Sequence, residues 1–175
     1  MEEKRSRFEE LCLPHLDAAY NLAYSLVGRD HDAQDIVQEA YIRALKGFKG
    51  LRGDNARHWL MMIVRNTAYT WLKMHANERN IFPFDPAIHA TTTSKSRSES
   101  SLEERVQQLQ EALKRLPIEF REILVLRDIE GWSYKQLASA LHMPSGTIMS
   151  RLSRARQRLR QEVARVQDKE SRNEL

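Results

Sequence analysis

The chain has 175 residues, with 28 Lys+Arg against 24 Asp+Glu and a formal net charge of +4. That length suits one or two small domains with modest cores, and 41% hydrophobic against 30% charged residues excludes wholesale disorder. With 6 Gly and 5 Pro a turn-rich β-sandwich is excluded, and no apolar run approaches the ~18–20 residues that span a bilayer, so no membrane insertion is expected.

In chain order, residues 5–27 read as a helix, because Phe8, Leu11, Ala18, Ala19, Leu22, Ala23 and Leu26 fall near helical spacing. Pro14 should kink or divide it near Leu13, and Gly28 should stop it. A second helix is predicted over residues 31–48, a loop over 49–56 and a third helix over 57–77. The stretch 78–101 has two prolines and a Ser/Thr run without apolar period, and reads as a flexible linker. Further helices are predicted over 102–115, 117–129, 133–141 and 145–166, the first opened by a capping box of Ser101 and Glu104, the second by Pro117 in its first turn. The fold class is therefore all-α: one small helical domain over 1–77, a linker over 78–101, a second helical domain over 102–166 and a polar, frayed tail over 167–175. The charged start MEEKRSRFEE is no signal segment, and a lone Cys12 fits a reducing compartment, so a cytoplasmic location is expected.

The small net charge hides segregation. Bases dominate from Lys49 to Arg79 and again from Pro144 to Arg165, which points to two contacts with a polyanion. In the second basic stretch, a short helix, a break at His142–Met143–Pro144 and a longer basic helix make a helix-turn-helix pattern. Ile148, Leu152, Ala155, Leu159, Val163 and Val166 form its buried stripe. Thr147, Ser150, Arg151, Arg154 and Arg158 fall on the opposite face, where Arg can bridge guanine or meet phosphate. The helix over 31–48 sets Asp32, Asp35, Glu39, Arg43 and Lys46 against an apolar face of Ile36, Val37, Ala40, Tyr41, Ala44, Leu45 and Phe48. Asp35 and Glu39 are like charges at i,i+4, which costs a few tenths of a kcal/mol, so the acidic stripe with Gln38 on its border reads either as a docking surface or as a solvated face. In the third helix Leu60, Ile63, Val64, Thr67 and Trp71 share a core face, while Trp59, Tyr69, Asn66 and Lys73 put aromatic and polar groups beside bases, a pattern suited to unpaired nucleic acid.

Three segments, DAQDIVQEAYIRALKGF, WLMMIVRNTAYTWLK and LPIEFREILVLRDIEGWSYKQLASALHMPSGTIMSRLSRARQRL, resemble the bacterial extracytoplasmic-function sigma factors of the sigma-70 family. The resemblance implies sigma region two in the first domain and region four in the second. It implies that Asp32, Asp35, Gln38 and Glu39 dock on the β′ clamp helices of RNA polymerase core, with the β flap as a further contact. It implies that the loop over 50–57 with Arg57, Trp59, Asn66 and Lys73 captures and opens the minus-ten element. Thr147, Ser150, Arg151, Arg154 and Arg158 would read the minus-thirty-five element. The linker would run through the polymerase, and an anti-sigma factor would be a further partner. Met149 and Ser153 depart from the residues usual in that family.

A stand-alone helix-turn-helix regulator is the alternative function. The six His are scattered, Cys12 and His15 form a single C-x-x-H pair, and no nucleophile–base pattern is present, so neither an enzyme, a metal site nor a cofactor is expected.

Overall fold

The computed structural model describes residues 2–51, 55–76 and 97–173. Helix α1 (Glu2–Cys12) leads into a single 3-10 turn, Leu13–His15, and then α2 (Leu16–Val27). Pro14, which lacks a backbone N–H, sits inside that turn and divides the predicted helix as expected. Gly28 ends α2 in the left-handed region at φ 76°, donating its N–H to the Tyr24 carbonyl at 2.8 Å. Helix α3 (Asp30–Gly47) opens with Asp30 and Asp32 at the positive end of its dipole. Helix α4 (Ala56–Met74) is capped by the Asn55 side chain, which accepts from the His58 N–H at 3.1 Å. These helices bury Leu22, Leu26, Ile36, Leu60, Met61 and Val64. The Tyr41 hydroxyl donates to the Cys12 carbonyl at 2.9 Å and ties α3 to the end of α1.

The second group comprises α5 (Arg97–Lys114), α6 (Ile118–Leu124), α7 (Tyr134–Leu141) and α8 (Ser145–Asn173). Helix α5 starts at Arg97, a turn earlier than the predicted capping box, so Ser101 lies inside the helix. Pro117 stands at the N-cap of α6, one residue before its first turn. A π turn, Val125–Ile129, then widens the helix, with the Glu130 N–H reaching the Val125 carbonyl at 2.9 Å. Ser133 and Gln136 form a reciprocal capping box on α7. His142 ends α7 in the left-handed region at φ 53°, a conformation that costs a residue with a Cβ. The predicted frayed tail is instead helical as far as Asn173. Helix α5 packs alongside α8, Val166 is buried, and Gln167 donates to Gln108 at 3.3 Å, so the last turns have a surface to lie on.

The sequence points to two domains on a tether; of the predicted linker over 78–101, residues 78–96 lie outside the described residues and 97–101 belong to α5. The two helical groups are in contact, with α2 packed on α6 and on the π turn, and their buried apolar residues form one continuous cluster.

Two substitutions probe the local chemistry of the helix-turn-helix. Ser133→Ala should lower stability by about 1 kcal/mol through the lost cap, whereas His142→Gly should raise it by about 0.5–1 kcal/mol by relieving the left-handed turn. Thermal melts of the two variants beside the parent check both signs.

Candidate nucleic-acid and partner interfaces

The acidic face of α3 borders an open groove of about 750 Å³ between α3 and α2. Asp35 and Gln38 stand on its rim, and Leu16, Tyr20, Tyr41 and Leu45 are among its walls. Leu16 is 46% exposed and Ile42 42%, an amount of bare apolar surface that a solvated face would not need. Asp32 and Glu39 stand outside the groove. Asp32 is half-buried, with Oδ2 out of contact with water and without a hydrogen-bond partner. Glu39 is held by Arg43 at 2.6 Å and Asp35 lies 3.1 Å from the His31 ring, so each acid of the i,i+4 pair has a partner of its own. Composition alone could not have found the groove, because Leu16 and Tyr20 come from a different helix.

On α4 the four predicted minus-ten residues divide. Trp59, Asn66 and Lys73 recur every seven residues and so lie along one row that drifts by only ~20° per step. Asn66 and Lys73 are exposed, and half-buried Trp59 packs edge-on to Phe48 with ring centroids 6.3 Å apart. Arg57 lies on the far side of the helix, where its Nη2 reaches Glu130 at 2.6 Å. Helical phase sets it apart from the other three. Arg65, which the sequence did not single out, turns toward the second bundle as well. Its guanidinium forms a pair of hydrogen bonds to Glu122, which also accepts from the Tyr69 hydroxyl at 3.0 Å. Beside these pairs the His58 ring lies against Trp132, centroids 4.1 Å apart, with its buried Nδ1 unpartnered and its pKa lowered by burial. His15 is shifted down as well, by burial and then by the Arg57 charge. Residues 52–54 of the expected melting loop lie outside the described residues.

In the helix-turn-helix, Ile148, Leu152 and Ala155 are buried, and Leu159 and Val163 half-buried, as the predicted stripe requires. On the other side Ser150 and Arg154 are exposed, whereas Thr147, Arg151 and Arg158 are half-buried. Arg158 reaches Glu162 at 3.1 Å, and Glu162, only 3% exposed, is also held by Arg165 at 2.9 Å. Met149 and Ser153 both point to solvent beside Ser150 and Arg154. Arg156 is engaged elsewhere, bonded to Asp128 at 2.5 and 3.1 Å.

Tyrosines at the groove and the seam carry a pH signature. Burial pushes the Tyr41 hydroxyl up to about 12, and burial with the neighbouring Asp30 carboxylate does the same to Tyr20. Tyr69 is raised too, by burial and then by Glu122. A raised folded-state pKa favours the neutral phenol, so this stability is complete below the unfolded value of ~10 and is lost as pH climbs through the folded values. Denaturant midpoints should therefore fall across that alkaline window, and Tyr41→Phe should make the fall shallower.

Residues 11–78 match the family described as Sigma-70 region 2, and residues 106–159 match Sigma-70, region 4. The chain is 33% identical over 159 residues to the ECF RNA polymerase sigma factor SigE of Mycolicibacterium smegmatis, which aligns with 90% of this chain but only 62% of that protein's length. It is 32% identical over 168 residues to the RNA polymerase sigma-H factor of Pseudomonas aeruginosa, covering 89% of this chain and 84% of that one. Among solved structures it is similar to the sigma factor RpoE of Bartonella quintana, solved with the anti-sigma factor NepR, at 29% identity and a TM-score of 0.74 over 90% of this chain and 97% of the other. Two family matches in the right order, with similarity in sequence and fold across most of the chain, lead to one conclusion: the chain belongs to the extracytoplasmic-function sigma factors of the sigma-70 family.

Proposed function

We propose that this sigma factor docks on RNA polymerase core through the α2–α3 groove and reads its promoter with α4 and α8. The observation that carries the first part is the groove itself, an apolar trough rimmed by Asp35 and Gln38. Its shape suits an amphipathic helix with basic flanks, and the β′ clamp helices are the expected occupant. Asp32 and Glu39 act at the margin of the contact, Asp32 through its unpartnered Oδ2. The β flap would meet the second bundle. An anti-sigma factor is a further partner in this reading, since the similar sigma factor RpoE has been solved with one.

For the DNA, the row of Trp59, Asn66 and Lys73 supports contact with an unpaired strand of the minus-ten element, an aromatic platform beside a polar and a cationic group. Arg57 joins that contact only when it is free of Glu130. In the minus-thirty-five element Thr147, Ser150, Arg151 and Arg154 sit in the early turns of α8, where side chains reach base edges, and Arg158 lies farther along, toward phosphate. The protein acts by binding rather than catalysis, and it works in the cytoplasm, where the polymerase is; no helix among the described residues is long and apolar enough to cross a membrane. Run-off transcription with core polymerase on a promoter pool, with and without this chain, tests the reading as a whole.

Docking is tested by Asp35→Lys with Glu39→Lys. Both side chains are exposed, so the fold should survive while co-sedimentation with core is lost; undiminished binding by the folded variant removes the assignment.

On α8, Arg151→Ala and Arg154→Ala should each cost ~1–3 kcal/mol at one promoter position and relax the preference there. Arg158→Ala should weaken all sequences alike and reduce the salt slope by ~0.9. Glu162 keeps Arg165 in that variant, so its melting point should hold. Affinities for single-base promoter variants at several salt concentrations separate the two classes.

A further inference from the structure

Helix α8 turns its large apolar side chains inward, with one exception. Ile148, Leu152 and Val166 are buried, and Leu159 and Val163 are half-buried. Met149 is 52% exposed, the one large apolar side chain of α8 in solvent among the described residues. A single bare methionine on a surface is ordinary. What sets this one apart is its place.

Met149 is the fifth residue of α8, in the turns that follow the break at His142–Met143–Pro144. At ~100° per residue it shares the outward face with Gly146, Ser150, Ser153 and Arg154, all of them exposed. That face has two unlike flanks. Thr147, Arg151, Arg154 and Arg158 lie toward one side, Met149 and Ser153 toward the other, with Ser150 between. Ser153, one turn on from Met149, is too short to cover it. At Gly146, one turn back, nothing beyond the local backbone stands within 4 Å of the place a Cβ would take. The flank around Met149 therefore lets a base edge come close. A thioether has no charge, no hydrogen to donate and only a weak acceptor, so it can neither hold a phosphate nor pair with the polar edges of bases. In the major groove one base group matches it, the 5-methyl of thymine. Its unbranched, flexible chain can follow that methyl.

We propose that Met149 contacts the 5-methyl group of a thymine in the minus-thirty-five element and so sets a preference for thymine at one promoter position. The inference rests on the reading of α8 as the helix that enters the major groove. It divides one face between two tasks: the arginine flank holds phosphate and guanine, and the Met149 flank selects by apolar contact. Because Met149 departs from the residue usual in this family, the preference belongs to this chain rather than to the family as a whole.

The test uses core polymerase loaded with the full chain. Duplexes randomised over the minus-thirty-five region are selected for binding. Each thymine of the enriched element is then replaced, one at a time, by deoxyuridine, which lacks only the methyl. One such replacement should weaken binding about fourfold, the worth of one methyl group taken out of water. Met149→Ala should lose at least as much on the parent duplex and become indifferent to that replacement, because the contact is already gone. The variant's melting point should match the parent's, since the side chain lies outside the core and alanine favours a helix. An enriched element without thymine, or one in which no deoxyuridine weakens binding, overturns the proposal. So does a penalty that Met149→Ala still shows in full, which would assign the methyl to another residue. A pool with no enriched element at all removes the reading of α8 itself, and the role of Met149 with it, a result distinct from the other two.

Discussion

A carboxylate taken out of water needs a cation, and in this protein that requirement reaches from one helical bundle to the other. Glu122 is buried on α6, and Arg65 of α4 supplies its counter-charge. Breaking such a pair from one side costs ~3–5 kcal/mol, comparable with the net stability of a small domain. The arrangement of the bundles is thus set by charge as well as by the continuous apolar cluster beneath. The apolar contacts between α2 and α6 bring the bundles together, and the paired charges fix which faces meet.

The helices of this sigma factor are amphipathic on every side that matters, and this makes the division of labour on α4 possible. Its core row of Leu60, Val64 and Thr67 faces α2 and α3. Arg57, Arg65 and Tyr69 reach acids of the other bundle, and Trp59, Asn66 and Lys73 form a separate row with Asn66 and Lys73 in solvent. Nineteen residues suffice for three separate surfaces because each needs only one side chain per turn or two.

Much of this was legible in the sequence. The helix over 31–48, the break at Pro14, the stop at Gly28 and the buried stripe of α8 arise from spacing and backbone chemistry acting within a few residues. The resemblance to sigma factors rested on three such segments and is upheld by the family matches and the relatives. What the sequence hid depends on contacts between distant segments. Glu122 and Glu130 look like ordinary surface acids until α4 is packed beside them, and the engagement of Arg57 with Glu130 is invisible for the same reason. The groove is hidden for the same reason, since its walls come from both α2 and α3. The tail after Gln167 has too few apolar residues to announce a helix, and it continues one that α5 contacts as far as Gln167. The π turn has no local signature at all.

Helix α2 lends Leu16 and Tyr20 to the groove and rests its other side on α6. One rigid element therefore touches two interfaces, and thermodynamic linkage couples them. If a helix bound in the groove weakens the α2–α6 contact by some factor, loosening that contact must favour that helix by the same factor. Substitutions at the α2–α6 contact would then change the affinity of the groove for its occupant without touching the groove itself.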